Sequence, residues 1–239
     1  MLQVMQHQIK KYSYLSYKIL TKSISIFIKK VRSIFWQIDP RIVGSFGVDR
    51  LPYPVRWDRY FDTKRILVEI GSGHGELLHH LATVNEDAVS IGFEISSEYT
   101  RRTEKKIKDQ SNALVYKADA YPFISKLFDK NTVSKIYILF PDPWHKKRHH
   151  KRRPITSRWL YSIWSVLQEG GEILFVTDWD EYYGFVDAEV SKFATYRVDC
   201  KIEKGVYSPK LLNLIETHYY KKWEEIGRTF QYIKLSKYP

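Results

Sequence analysis

Along most of the chain, two kinds of segment alternate. Short runs of β-branched and aromatic residues, "RILVEI" (65–70), "AVSIGFEI" (88–95), "ALVYKA" (113–118), "SKIYILF" (134–140) and "GEILFVT" (171–177), read as strands. Between them lie "ELLHHLATV", "SEYTRRTEKKIKDQ", "YPFISKLF" and "TSRWLYSIWSVLQ", whose apolar residues recur at helical spacing. Strands that are apolar almost throughout, separated by helices, predict a parallel sheet covered on both faces. Two more strands are expected at "TYRVDC" (195–200) and "TFQYIKL" (229–235), linked by a looser connection holding Gly205 and Pro209, a natural place for a closing antiparallel strand.

The first 38 residues follow a different pattern. Leu20, Ile24, Phe27, Ile28, Val31, Ile34 and Phe35 keep helical spacing, with Lys22, Lys29, Lys30 and Arg32 interleaved. This is the pattern of a basic helix that meets nucleic acid or an anionic membrane surface, and equally of a helix or arm packed on the rest of the protein. The expected organisation is a basic N-terminal extension (1–50) followed by one domain (51–239). With 239 residues, 44% of them hydrophobic, the chain can bury a sizeable single core.

Charge sharpens this division. The chain has 39 Lys and Arg against 27 Asp and Glu. Residues 1–38 hold seven bases and no acid, and residues 145–153 hold six more. Removing those thirteen from 39 leaves 26 bases against 27 acids, so the excess is confined to two segments on a near-neutral body. That is the footprint expected for a polyanion such as nucleic acid. Cys200 is the only cysteine, which excludes an intramolecular disulfide and a cysteine zinc site and fits a reducing, cytoplasmic setting. No run approaches the roughly 18 apolar residues of a membrane span, so a soluble protein without one is expected.

Candidate chemistry begins at "VEIGSGHGELLHHLA", where Gly71, Gly73 and Gly75 follow a strand and precede a helix. Glycine is wanted where a turn is tight and the backbone must approach a ligand. A dinucleotide fingerprint needs a third glycine where this chain has Glu76, which disfavours a pyrophosphate ligand. The remaining pattern, E-x-G-x-G-x-G from Glu69, resembles that of S-adenosylmethionine-dependent methyltransferases with a Rossmann-like sheet. Glu94 ends the next strand, where a carboxylate can accept hydrogen bonds from two ribose hydroxyls. Asp119 follows the third strand, placed to approach an adenine, and Glu69 suits a cofactor carrying a sulfonium and an amino group.

The fourth strand runs into "ILFPDPWHKKRHHKRR" (138–153). Pro141 and Pro143 fix φ on either side of Asp142 and stiffen the turn that presents it. Trp144 either stacks on a splayed base or packs under the loop. Taken with "EIGSGHG", "GFEI", "KADA" and "TDWDEY", this stretch closely resembles the tRNA (guanine-N7-)-methyltransferases of the bacterial single-chain type, over roughly residues 66–235. The resemblance implies a Rossmann-like class I methyltransferase fold: an α/β, seven-stranded, mostly parallel sheet with one antiparallel strand and helices on both faces. It implies methyl transfer from S-adenosyl-L-methionine to guanosine 46 in the tRNA variable loop by a monomer or homodimer. Glu69, Gly71, Gly73, Glu94, Asp119 and Asp142 would hold the cofactor, with Asp142 also catalytic. Lys146, Asp178, Thr217 and Tyr220 would contact the substrate.

The basic run has its own reading. Lys147, Arg148, Lys151, Arg152 and Arg153 can neutralise RNA phosphates and set substrate register. His149 and His150 read as further phosphate donors, and no metal is expected. Asp178 reads equally as the N-cap of a helix beginning at Trp179. The chain departs from the family pattern at His145, where proline is usual, and at Tyr220, where an acid is usual. Two other readings stand beside this one: a methyltransferase acting on an exocyclic base nitrogen, and a non-catalytic RNA-binding protein on the same fold. The split prolines of "PDPW" argue against the first. The four acids facing a polyanion argue against the second.

Overall fold

The continuous apolar runs form the middle of a sheet. The computed structural model describes residues 51, 53–63 and 65–238. In it, β1 (Arg65–Ile70), β2 (Ala88–Glu94), β3 (Ala113–Lys117), β4 (Val133–Leu139), β5 (Leu167–Thr177), β6 (Cys200–Val206) and β7 (Gln231–Lys237) make one seven-stranded sheet. Their order is β3-β2-β1-β4-β5-β7-β6. The first five strands run parallel, and β7 lies antiparallel to both β5 and β6. This is the expected Rossmann-like arrangement with one antiparallel strand.

Every residue of β2 is buried. Side chains of a strand point alternately to opposite faces, so both faces of the sheet are covered there. The covering helices are α1 (Glu76–Val84), α2 (Ser97–Ile107), α3 (Ile124–Leu127), α4 (Ser157–Trp164), α5 (Asp180–Ala194) and α6 (His218–Glu224). α1 buries Leu77, Leu78, Leu81 and Ala82 on one stripe. The Ser96 and Thr156 side chains cap α2 and α4 by accepting from the Tyr99 and Trp159 amides. α4 then buries Trp159, Leu160, Ile163 and Trp164.

Three expectations need correction. The strand expected at 195–200 begins only at Cys200 and runs to Val206, taking in Gly205. Residues before it are held in a turn by Asp199, which accepts hydrogen bonds from Arg197 Nε and Trp164 Nε1, both at 2.8 Å, and Val198 is left fully exposed. The helix expected through Gln168 stops at Trp164, because Leu167 already pairs with Val133 in the sheet. β5 therefore starts four residues early and passes through a register shift, with Gly170 at φ +73°. Finally, Asp178 caps no helix: Trp179 holds the N-cap position of α5 without a side-chain cap bond.

The basic extension and its boundary at residue 50 lie outside the described residues. Among those described, no helix is long and apolar enough to cross a membrane.

One close approach fixes the crevice. A Cβ added to Gly92, in the middle of β2, would collide with the Ser72 hydroxyl and lie 2.7 Å from a Leu78 methyl. The absence of a side chain lets α1 and the loop before it sit directly on the sheet. Gly92→Ala should destabilise the protein by about 1–3 kcal/mol by overpacking. Denaturant unfolding checks this, and an unchanged midpoint would show that the loop can yield.

Candidate active site

The winding of the sheet reverses between β1 and β4, which are neighbours in space though not in sequence. In open α/β sheets, ligands bind outside the carboxyl ends of strands at such a switch point. A cleft of about 730 Å³ opens there, and Glu69, Gly71, Gly73, Glu94, Asp119, Asp142 and Thr217 all line it. The structure thus brings together every residue the sequence assigned to the cofactor.

Each is placed by its local backbone. Gly71 and Gly73 lie at φ +84° and +50°, with nothing within 4 Å of an added Cβ. At these two positions the loop presents bare backbone to open space. Glu94 organises the loop, because its Oε2 accepts from the Gly73 amide at 2.9 Å and its Oε1 from the Ser96 amide at 2.8 Å. Each oxygen keeps a second lone pair for a ligand hydroxyl. Asp119 is exposed at the mouth and accepts from the Tyr121 amide at 3.2 Å.

Glu69 lies deeper, 4% exposed. Burial pushes its carboxyl up to about 8, the Glu94 and Glu76 carboxylates push the same way, and Ser72 and the Leu78 backbone oppose them. Ser72 lies beside it without a well-formed bond: Glu69 Oε2 and Ser72 Oγ are both buried and unpartnered. An orphaned carboxyl oxygen among several acids fits a cationic ligand, whose charge would favour release of the Glu69 proton, and opposes an anionic one.

The turn after β4 carries Asp142. Phe140 and Trp144, which bracket it, have φ of +54° and +51°, a region that bulky residues rarely enter. The Trp144 amide donates to Asp142 Oδ1 at 3.1 Å. Phe140 stacks on Tyr219, with ring centroids 4.7 Å apart, and edges against Phe230.

Comparison with known proteins agrees with this geometry. A family model described as "Putative methyltransferase" matches residues 63–232. The chain belongs to this methyltransferase family. It is 34% identical to the tRNA (guanine-N(7)-)-methyltransferase of Thermotoga maritima across 74% of this chain and 55% of that protein. It is 36% identical to the protein of the same name from Aquifex aeolicus across 76% of this chain and 60% of that one. The chain therefore spans little more than half the length of these curated relatives. Among solved structures, 16S rRNA methyltransferase KamB matches with a TM-score of 0.56 at 12% identity, over 77% of this chain and 93% of that one, which shows the shared fold.

The outer half of this cleft differs from the sequence expectation. Arg153, expected on RNA phosphate, is buried. Its Nε donates to the Pro143 carbonyl at 3.0 Å, its two terminal nitrogens grip the Glu181 carboxylate, and it lies 5.1 Å from the centroids of Tyr182 and Phe185. It latches the Asp142 turn to α5 and is withdrawn from the phosphate set. Tyr220, expected on substrate, is also buried: it packs on Tyr207 and Phe230, and its hydroxyl donates to Glu224. The residue that reaches the cleft is Tyr219. Thr217 lines the cleft while capping α6, its hydroxyl accepting from the Tyr220 amide.

Asp178 does not line the cleft; its carboxylate is ion-paired with Arg228 and accepts from the Tyr219 hydroxyl at 3.2 Å. Burial, then Asp178, pushes the Tyr219 hydroxyl up to about 12. Lys146, Lys147, Arg148 and Lys151 are exposed outside the cleft. Arg152 is exposed too, yet reaches the cleft wall. His145 sets its ring edge against Trp179, at 4.1 Å between centroids.

Sequence reasoning missed His74, Tyr99, His218 and Trp223, which complete the walls. His74 packs against Tyr99 and His218, each at 5.1 Å. The His218 amide donates to Glu76 at 2.6 Å, tying α6 to the start of α1. That pairing spans 142 residues, and no local pattern signals it. Among the described residues, no group of His, Cys, Asp and Glu is placed to hold a metal ion.

A carboxyl like Glu69 holds its proton more tightly in the folded chain than in the unfolded one. Folding then takes up a proton between the ordinary value of 4.5 and about 8, and stability falls as pH rises across that window. Glu69→Gln removes this dependence. Thermal melts from pH 5 to 8 should show the variant gaining on the parent by roughly 5 °C or more as pH rises. A constant difference would mean that the proton sits elsewhere.

Proposed function

We propose that the chain transfers a methyl group from S-adenosyl-L-methionine to N7 of guanosine 46 in the variable loop of tRNA, forming 7-methylguanosine, and does so in the cytoplasm. The observation that carries this reading is the convergence of Glu69, Glu94, Asp119 and Asp142 on one cleft, beside an exposed basic run. The names of the relatives from Thermotoga maritima and Aquifex aeolicus support it.

The residues present fit the cofactor. Glu69 supplies a buried, unpartnered carboxyl oxygen that a positive group would donate to and help to ionise, Glu94 suits ribose hydroxyls and Asp119 an adenine edge. Gly71 and Gly73 leave open backbone where the ligand must approach. When bound, S-adenosylmethionine supplies an electrophilic methyl group on a positively charged sulfur.

The chain's own part is alignment and charge. Guanine N7 carries a lone pair and no proton, so no strong general base is required there. Asp142 can accept from the N1 and N2 edge of guanine and offset the positive charge that develops on the purine. The turn that holds it is stiffened by Pro141 and Pro143 and latched by Arg153, so little reorganisation accompanies reaction. Asp178, taken up by Arg228 and Tyr219, holds the cleft wall and acts as a positioning residue. Lys147, Arg148 and Lys151 bind phosphate, and Lys146 lies in the same exposed surface.

The reading is tested with labelled S-adenosylmethionine and unmodified tRNA transcripts, with or without guanosine at position 46, followed by nucleoside analysis. 7-Methylguanosine should form only when that guanosine is present. Transfer to another atom, or none at all, would overturn it. Asp142→Asn should lower kcat by about 10²–10³-fold with tRNA affinity nearly unchanged, and equal losses in both would contradict the role.

Lys147→Ala combined with Lys151→Ala should weaken tRNA binding and flatten its salt dependence by a slope of about 1–2. Arg153→Ala should instead cost about 1–3 kcal/mol of stability through lost packing and lost hydrogen bonds, since the Glu181 it leaves behind is exposed. Salt titrations and unfolding curves separate these outcomes, and a salt effect in Arg153→Ala without lost stability would reverse the assignment.

A further inference from the structure

Phe140 and Trp144 stand on either side of Pro141-Asp142-Pro143, both with positive φ and both lining the cleft. Their rings are used differently. Phe140 is committed to packing, with Tyr207, Tyr219 and Phe230 around it. Trp144 is half-buried, and its ring neighbours are polar: the Arg152 guanidinium lies 4.8 Å from its centroid, and His149 meets it edge-on at 5.9 Å.

Arg152 is unusual among the bases of the run. Lys146, Lys147, Arg148 and Lys151 do not line the cleft, and Arg153 is locked to Glu181. Arg152 lines the cleft, is exposed, and forms no ion pair with a carboxylate among the described residues. An exposed guanidinium resting on a half-buried indole is weakly held. It exchanges readily for a phosphate, which offers it a bidentate, charge-assisted contact. The indole face beneath it is then free, at the cleft wall, two residues from Asp142 and tied to it through the Trp144 amide at 3.1 Å.

We propose that Trp144 is the stacking platform for the target purine and that Arg152 covers this face until RNA phosphate draws the guanidinium away. The inference rests on the methyl-transfer reading and deepens it. Asp142 reads the edge of the base, Trp144 holds its plane, and one rigid turn carries both. Trp144, a bulky aromatic, holds a left-handed conformation beside the carboxylate, a setting such residues rarely enter. Sequence-specific RNA recognition uses unstacked bases on aromatic or guanidinium planes, and here the Arg152 guanidinium lies over the Trp144 ring, 4.8 Å from its centroid.

The test compares tRNA binding with and without the base at the target nucleotide, using an intact transcript and one abasic at that position. Wild type should bind the abasic RNA about tenfold more weakly. Trp144→Leu should bind intact tRNA about tenfold more weakly than wild type and lose nothing further on the abasic RNA, with Trp144→Phe in between. Arg152→Ala should keep the penalty for the missing base while its salt slope becomes shallower.

A full abasic penalty in Trp144→Leu overturns the proposal. So does loss of the penalty in Arg152→Ala with its retention in Trp144→Phe, because the platform would then be the guanidinium. If Trp144→Leu fails to fold, the comparison of wild type, Trp144→Phe and Arg152→Ala decides alone. Methyl transfer to the intact transcript by wild type separates the two readings. Without transfer the functional reading fails and this inference with it. With transfer, and with a full penalty in Trp144→Leu, only the stacking assignment fails.

Discussion

The site depends on one constraint of topology: the parallel sheet changes winding direction between β1 and β4. Loops leaving these two strands diverge, and the gap between them is the cleft. The glycine loop after β1 and the Asp142 turn after β4 face each other only because of that reversal. Two interactions hold their shape. Glu94, from β2, ties the glycine loop to the start of α2 through both carboxylate oxygens. Arg153 ties the Asp142 turn to α5. One fastening works from each side of the switch point, and both are side chains satisfying backbone or carboxylate groups that would otherwise be costly to leave unmade.

Charge divides the molecule along the same line. The cleft gathers Glu69 and Glu94 on its floor and Asp119 at its mouth, while the surface beyond Asp142 carries the exposed lysines and Arg148. A polyanion settling on the outer surface is repelled from the floor. A small cation is drawn into it. Asp142 and Trp144 stand where the two regions meet, which is the position the proposed transfer to an RNA base requires. Tyr219, Trp223 and His218 on α6 close the remaining side, with α6 fastened to α1 through Glu76 and to the end of β5 through Asp178.

Much of this is legible in the sequence, for definable reasons. β1 and α1 match their expected limits because an unbroken apolar run, three glycines and a leucine stripe leave few alternatives. Acids at strand ends are equally visible, since a parallel sheet sends those ends to one edge. What escapes reading is what rests on distant partners. Arg152 and Arg153 are adjacent and chemically identical, yet one is exposed and the other buried, because Glu181 arrives from 28 residues away. Tyr219 and Tyr220 differ only in helical phase, and Tyr220 turns inward onto Tyr207 and Phe230. The late start of β6 follows from Asp199 bonding to Trp164, a contact 35 residues apart that outweighs the β propensity of "TYRV".

The most direct measurement is calorimetric titration of the full chain with S-adenosylhomocysteine, which probes the cleft without reaction. The account requires one site per chain, an affinity about tenfold weaker in Asp119→Ala, and no change when Lys147 and Lys151 are both replaced by alanine. Asp119 is exposed, so its loss leaves the fold intact. Absence of binding, or binding indifferent to Asp119 and sensitive to the lysines, would contradict the division of the molecule into an acidic cofactor cleft and a basic RNA surface.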